Sequence, residues 1–551
     1  MDTPVTRRQA LLAFAAVSLI ESAASAATPP SVDPALVTRH DASLDTLLRA
    51  QITDPASPHA GAIPDDYLMY SAGAAAGLIE SATAALVCPQ SKHPANAREL
   101  VSRIRLAAQF LERSQSPEGN IDLLSTNFNS PPDTGFVTHN VATAAAIAKI
   151  YGADEVLRAL RPFLLKAAAA MATGGIHTPN HRWVVSSALA QIHAIFPYPD
   201  WPRRIDQWLA EGIDIDSDGQ YIERSTVTYN TVCDRAFTVL AAKLNRPALL
   251  DPVRRNLAAM LYLLHPDGEV VTEVSRRQDQ FVRGTMAGYW FPVQYLAVHE
   301  NSPLLAALAR TLAPHARLSA LLEYPELNAP LPAPAPLPDN YERTFPTMNL
   351  ARIRRGQFDA TLVLRDSSRF FSARNGAAVI DAVRFATSFF GKGQFIPTTG
   401  AKEGNAYILR QSLEGPYYQP LDPPQRVTAD NWSALHATRR QSQICRLTQS
   451  AGIVELKSGF ALRLEAKGTP NVPVAVEISL REGGTLEGCP NGILTKDFAT
   501  YRVGPNTITF GPGAAPHLLT QLRGAEPKLP GQSVYITGYT PFDHTLRFDF
   551  S

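Results

Sequence analysis

Cysteine is scarce in this 551-residue chain: four residues, Cys88, Cys233, Cys445 and Cys489, lie far apart with no CxxC and no Cys/His ligand spacing. That excludes a cysteine-built zinc site and a disulfide-dense scaffold. Lysine is scarcer than its partner, with 10 Lys against 41 Arg, and the net charge is only +1 from 51 basic and 50 acidic residues. Such a balance excludes bulk electrostatic capture of nucleic acid and leaves room only for a local anion site. Beyond the N-terminal segment no apolar run reaches the ~18 residues needed to span a bilayer. P-loop, GxSxG, HExxH and dinucleotide fingerprints are missing from the contexts that would give them meaning, so no redox or nucleotide cofactor is expected. What remains is 45% apolar and 18% charged, a core-building chain long enough for more than one domain.

Residues 1–27 read as an export signal. Arg7 and Arg8 precede an apolar stretch reaching Ile20, and Ala24-Ser25-Ala26 makes a small-residue cleavage site, the pattern of twin-arginine export to the periplasm or beyond. An ordinary secretory signal with two arginines is the alternative. Cys445 and Cys489 could pair within the second domain, although buried free thiols are the preferred reading, because a twin-arginine substrate folds before export.

Between about residues 65 and 313 apolar residues recur at helical spacing. Val101, Ile104, Ala108 and Leu111 form one stripe, and Val137, Val141, Ala144, Ala148 and Tyr151 another. Further helices are predicted around 66–87, 155–172, 182–195, 230–244, 250–264 and 302–313. A series of antiparallel helical hairpins over 35–325 must close into a bundle, solenoid or toroid. The proline-dense stretch within 326–342 is an extended connector. After it the period becomes two, at 358–364, 452–456, 460–464, 474–478 and 546–550, which predicts an antiparallel β-sandwich over 343–551. The fold class expected is α+β, helices first and sheets second.

Polar and aromatic residues concentrate in three loops of the helical domain. The first runs from Asn127 to Asn140 and contains Asp133, His139 and Asn140. The second, 174–183, contains His177, Asn180, His181, Arg182 and Trp183. The third, 214–230, contains Asp214, Asp216, Asp218, Tyr221, Glu223, Arg224 and Tyr229. Binding groups gather in such loops at one rim of a scaffold. A fourth loop carries Glu273, Arg276 and Arg277 before Tyr289 and Trp290. Its arginines could bind carboxylates and Trp290 could stack on a sugar ring.

Asn180-His181, followed 48 residues later by Tyr229 in an Asp-Gly-x-Tyr-x-Glu-x-Ser-x-x-Tyr context, resembles the heparinase II/III-like polysaccharide lyases. The resemblance implies an (α/α) toroid followed by an antiparallel β-sheet domain. By similarity Asn180 and His181 hold a uronate carboxylate, Tyr229 moves protons, and a histidine of the second domain contributes, for which His436 is the best candidate. It also implies an anionic polysaccharide or oligosaccharide as partner, with no nucleic acid and no membrane after export. The oligomeric state is open.

The residue types suit β-elimination. The carboxylate must be neutralised so that the enolate formed by loss of the C5 proton is tolerable, while a base takes that proton and an acid protonates O4. Tyrosine serves both steps where cations lower its pKa from about 10, and Arg182, Arg224, Arg276 and Arg277 are candidates for that field. Each residue also has a plain structural reading. Asn180 makes a good N-cap, Tyr229 can begin a core stripe, Glu223 can cap or pair, and His139 and His177 can be loop hydrogen-bonders, while Asn140 stands with the substrate-binding candidates. Asp214, Asp216, Asp218 and Gly219 match half of a calcium loop, but Ser225 stands where the bidentate Glu belongs. A plain turn is preferred there, a looser structural cation stays open, and no metal ligand is otherwise assigned. Two rival functions stand beside the lyase: a glycoside hydrolase using paired carboxylates from Asp133, Glu223 and Glu273, and a non-catalytic glycan-binding protein.

Overall fold

A computed structural model describes residues 27–551; residues 1–26, and with them the twin-arginine motif, lie outside the described residues. The chain separates into two compact units. Among the described residues, one comprises 27–260, Ser275–Asp279 and Gly284–Leu337, and the other Leu261–Val274, Gln280–Arg283 and Pro338–Ser551.

The first unit is helical, and its helices alternate between two environments. α1 (Pro34–Ala50), α3 (Ala97–Ser114), α5 (Asp154–Thr173), α7 (Asp200–Ala210), α9 (Asp251–Met260) and α11 (Pro303–Leu312) are amphipathic. In α3, for instance, Leu100, Ile104, Ala107, Ala108 and Leu111 are buried while Arg105 and Glu112 are exposed. α2 (Ala72–Val87), α4 (Pro131–Ile150), α6 (Pro179–Ile195), α8 (Tyr229–Leu244) and α10 (Trp290–His299) are buried over most of their circumference. A helix apolar or small all round must lie inside a second layer. α2 packs on α4, α4 on α6, α6 on α8 and α8 on α10, while α12 (Leu318–Glu323) returns to α4 and α2. The inner helices thus form a ring with the amphipathic ones outside it, an (α/α) toroid.

Local sequence sets where the inner helices begin. α4 starts with prolines in its first turn and Ser130 as N-cap, its hydroxyl accepting from the Asp133 N–H. α6 likewise has a proline in its first turn. The predicted helix over 250–264 ends earlier, at Met260, because the following residues leave for the other unit and Leu264 pairs with Val270. A short hairpin of β1 (Ile121–Leu123) and β2 (Asn127–Ser130) stands where the sequence reads as loop. The proline connector is tied to its own unit, its Ala335 N–H donating to the Pro303 carbonyl.

The second unit is the predicted sandwich. One sheet has seven strands in the order β16 (Gln532–Tyr539), β12 (Pro473–Leu480), β7 (Ala378–Thr387), β6 (Phe371–Asn375), β5 (Phe358–Val363), β4 (Leu350–Arg355) and β3 (Asn340–Phe345), and the other eight in the order β13 (Thr485–Glu487), β14 (Ala499–Val503), β15 (Asn506–Gly511), β17 (Phe542–Phe550), β11 (Gly459–Gly468), β10 (Gln441–Leu456), β9 (Ala406–Tyr418) and β8 (Thr399–Glu403). All ladders within the two sheets are antiparallel. In β11 (Gly459–Gly468) Phe460, Leu462, Leu464 and Ala466 point into the core between the sheets, against Phe371, Phe385 and Phe548. β7 (Ala378–Thr387) is buried on both faces because Leu522 covers Ala386 and Ala475 from outside. All four cysteines are free thiols, Cys445 partly exposed and the other three buried.

Candidate active site

A cavity of about 620 Å³ opens in the toroid unit at one end of the inner ring. Its wall takes residues from the first two turns of α2 (Ala72, Gly73), α4 (Asp133, Phe136), α6 (His181) and α8 (Tyr229), with Arg277 from a loop and Asn127 from the hairpin. Four helix N-termini therefore border one space. Each helix start carries the partial positive charge of its dipole, an arrangement that favours an anion.

Tyr229 is the first residue of α8, and its N–H donates to Ser225 Oγ at 3.0 Å. The phenol oxygen accepts one hydrogen bond, from Gln278 Nε2 at 3.1 Å, and the Arg277 guanidinium lies 4.7 Å from the ring centroid. Arg277 is in turn anchored by Glu223 Oε2 at 3.1 Å. Glu223 Oε1 accepts from the Asn180 N–H at 2.9 Å and from Asn180 Nδ2 at 2.6 Å. A single carboxylate thus joins the start of α6 to the loop that carries Arg277 and Gln278. Glu223 is held in this position by a tight reversal: the Arg224 N–H donates to the Tyr221 carbonyl, and Arg224 has φ of +44°, a costly backbone state for a residue with a side chain.

His181 lines the cavity beside His177, ring centroids 5.0 Å apart, and edge-on to Phe136. Burial, then the neighbouring His177, pushes its pKa down to about 4. It is neutral at pH 7, so the positive charge in the cavity wall belongs to Arg277. Its Nδ1 is buried without a partner, as is Asn180 Oδ1. The Asn180 amide nitrogen, which the sequence reading aims at a carboxylate, is spent on Glu223 and on Thr178 Oγ1 at 3.1 Å. Asn180 itself stands behind the cavity wall, 1% exposed.

The other candidates separate cleanly. Asn140 lines the cavity. His139 does not: it is buried between Gln191 Oε1 at 2.7 Å and Ser187 Oγ at 3.0 Å, and burial pushes its pKa to about 3. Arg182 is turned into ion pairs with Asp214 at 2.9 Å and Glu211 at 3.2 Å and stacks on Trp183. Arg224 pairs with Asp216 at 3.7 Å, and Arg276 is exposed. Trp290 is buried in a different cavity of the same unit. His436 lies in the sheet unit on α13 (Trp432–Ala437), its ring against Tyr418 and Trp432. Asp214 is spent on Arg182 and the Trp183 indole N–H, and Asp216 Oδ1 caps the turn by accepting from the Asp218 and Gln220 N–H groups. At Gly219 (φ +80°) an added Cβ would sit 2.4 Å from the Arg255 carbonyl oxygen, so the turn admits only glycine.

Of the paired carboxylates, Glu223 accepts from Asn180 at Oε1, while Oε2 is ion-paired with Arg277 but accepts no hydrogen bond. Asp133 accepts from Asn127 and Ser130, and Glu273, in the other unit, accepts from Ser372 and the Thr272 N–H. Gln278, which touches the Tyr229 hydroxyl, carries no signal of its own in the sequence.

No protein-family model matches this sequence, and no curated protein matches it at the sequence level. Solved structures do. The Streptomyces coelicolor A3 chondroitin AC lyase, in complex with chondroitin sulphate, superposes with a TM-score of 0.56 at 13% identity, covering 98% of this chain and 82% of that one. A Paenibacillus xanthan lyase superposes with a TM-score of 0.57 at 10% identity, covering 88% of this chain and 52% of that one, so this chain spans about half its length. The fold is the (α/α) toroid and antiparallel β-sheet architecture of these polysaccharide lyases.

Proposed function

We propose that this protein is a polysaccharide lyase that cleaves a uronate-containing glycan by β-elimination at the N-terminal end of the inner helix ring. One observation carries the proposal: the Tyr229 hydroxyl, the Arg277 guanidinium and the neutral His181 imidazole converge on a cavity bordered by four helix N-termini.

Arg277 and the helix N-termini stabilise the uronate carboxylate and the charge that accumulates on it once the C5 proton has gone. Tyr229 Oη carries the proton transfer, with the unprotonated His181 as second acceptor. The C5–H bond breaks toward the base, the electron pair forms the C4–C5 double bond, and the C4–O4 bond breaks with O4 taking a proton. Water is not consumed. Asn180 and Glu223 are positioning residues in this account, since they fix Arg277 rather than face the cavity. The ion pair that holds Glu223 against Arg277 speaks for this reading over a hydrolase with Glu223 as acid.

Incubation with alginate, glucuronan, heparan, hyaluronan, chondroitin, ulvan and plant gums tests the proposal by the ultraviolet absorbance of a new unsaturated uronate. Reducing ends released without that absorbance would overturn it. Export is part of the same proposal, and a reporter fused to residues 1–27 that stays in the cytoplasm would contradict it.

A further inference from the structure

A second cavity of the toroid unit, about 410 Å³, is lined by Arg235 of α8, Thr143 of α4 and Gln191 of α6. These positions lie six, seven and ten residues beyond Tyr229, Phe136 and His181 on the same helices. At 1.5 Å per residue the second cavity is roughly 10–15 Å deeper along the inner ring than the first.

Arg235 is half-buried and makes no hydrogen bond and no ion pair within the described residues. Two carboxylates, Glu80 and Glu323, line the same cavity, and each is engaged by other groups. Glu323 is paired with Lys243 at 2.8 Å and accepts from Thr143 and Gln191, and Glu80 accepts from the Ser319 hydroxyl. Arg317 adds a second guanidinium to the wall. The hydroxyl of Tyr324, 5% exposed, is also buried with no partner, and Trp290 and Phe291 supply aromatic surface. Burial, then the proximity of Arg317, lowers the Arg235 pKa from its ordinary value against the opposing pull of Glu80 and Glu323, and a bound anion would offset that lowering.

A planar donor fork without an acceptor, a buried hydroxyl without a partner and a flat aromatic wall match one kind of ligand. We propose that this cavity is a second binding site, for a single carboxylate-bearing sugar ring, with Arg235 on the carboxylate and Tyr324 on a ring hydroxyl. The site belongs wholly to the toroid unit and does not depend on the lyase reading of the first cavity.

Calorimetric titration of the whole protein with glucuronate, and with glucose as uncharged control, tests this. Three variants are needed: Arg235→Met and Tyr324→Phe in the second cavity, and Arg277→Met in the first. Arg235→Met should weaken glucuronate binding at least tenfold and Tyr324→Phe several-fold, while Arg277→Met retains one bound glucuronate per chain. Melting curves identify any variant that has not folded, and Tyr324→Phe, which removes a single oxygen, is then the deciding one. No glucuronate binding by the wild type, equal binding of glucose, or loss in Arg277→Met with Arg235→Met unchanged would each overturn the proposal.

Discussion

Replacing Arg277 by methionine keeps the length and apolar stem of the side chain and removes its charge. The variant loses the 3.1 Å ion pair with Glu223 and the stacking over Tyr229. Arg277 is one-third exposed and Glu223 is buried, so solvent screens one partner and not the other. Glu223 keeps its two hydrogen bonds from Asn180. Together these place the stability cost at about 1–2 kcal/mol, below the ~3–5 kcal/mol of a fully buried broken pair. The catalytic cost should be larger. Removing one preorganised donor aimed at developing negative charge typically costs roughly 3–4 kcal/mol, or 100- to 1000-fold in kcat. Initial rates on a cleaved glycan, followed through the unsaturated product, give the second quantity, and urea titration the first. Arg277→Lys should recover part of the rate, because it restores the charge without the planar fork. A kcat within a few-fold of wild type for Arg277→Met would refute the placement of the substrate carboxylate beside this residue.

Other substitutions separate structural from chemical roles. Arg182→Ala strands Asp214 in a nearly buried position and should cost about 3 kcal/mol in urea titration, with KM on a cleaved glycan unchanged in the folded fraction. A rise in KM at unchanged stability would restore Arg182 to the substrate. Histidines 139 and 181 have folded pKa values of about 3 and about 4, below the unfolded ~6.5. The unfolded chain therefore binds more protons between these values, and stability is lost as pH falls from about 6.5 toward 4, by at most about 1.4 kcal/mol per pH unit for each ring. His139→Gln should flatten that slope by one proton, and an unchanged slope would contradict the burial argument. Asn180→Ala removes the side-chain donor to Glu223 Oε1 and leaves the backbone one, and should lower stability by about 1–3 kcal/mol, whereas unchanged melting would show that the amide bond does not anchor the arginine loop.

The architecture was legible because two periodicities replace one another along the chain. The stripes around 137–151 and 182–195 and the alternation at 460–464 became α4, α6 and β11. α1 escaped because its buried face rests on a few positions, Leu36, Val37 and Leu44, with a buried Asp41 among them, and α7 because Trp201 and Ile205 alone anchor it. The β1–β2 hairpin is too short and polar to show a period of two. Excursion of residues 261–274 and 280–283 into the sheet unit is a tertiary choice with no local signature. At the site, residue types and spacing picked out His181, Tyr229 and Arg277. Sequence could not distinguish Arg277 from Arg182, since the difference lies in which carboxylates the fold brings up: Asp214 and Glu211 hold one away from the cavity, and Glu223 holds the other in it. Nor could it show that the amide of Asn180 faces Glu223.

Tyr229→Phe measures the central claim most directly. The substitution removes one oxygen whose only hydrogen bond among the described residues comes from the exposed Gln278, so the melting temperature should hold. Formation of unsaturated uronate ends should fall by roughly 100- to 10,000-fold, the usual contribution of a positioned proton carrier. Near-normal production of those ends by the folded variant would contradict the assignment of Tyr229 and the elimination chemistry built on it.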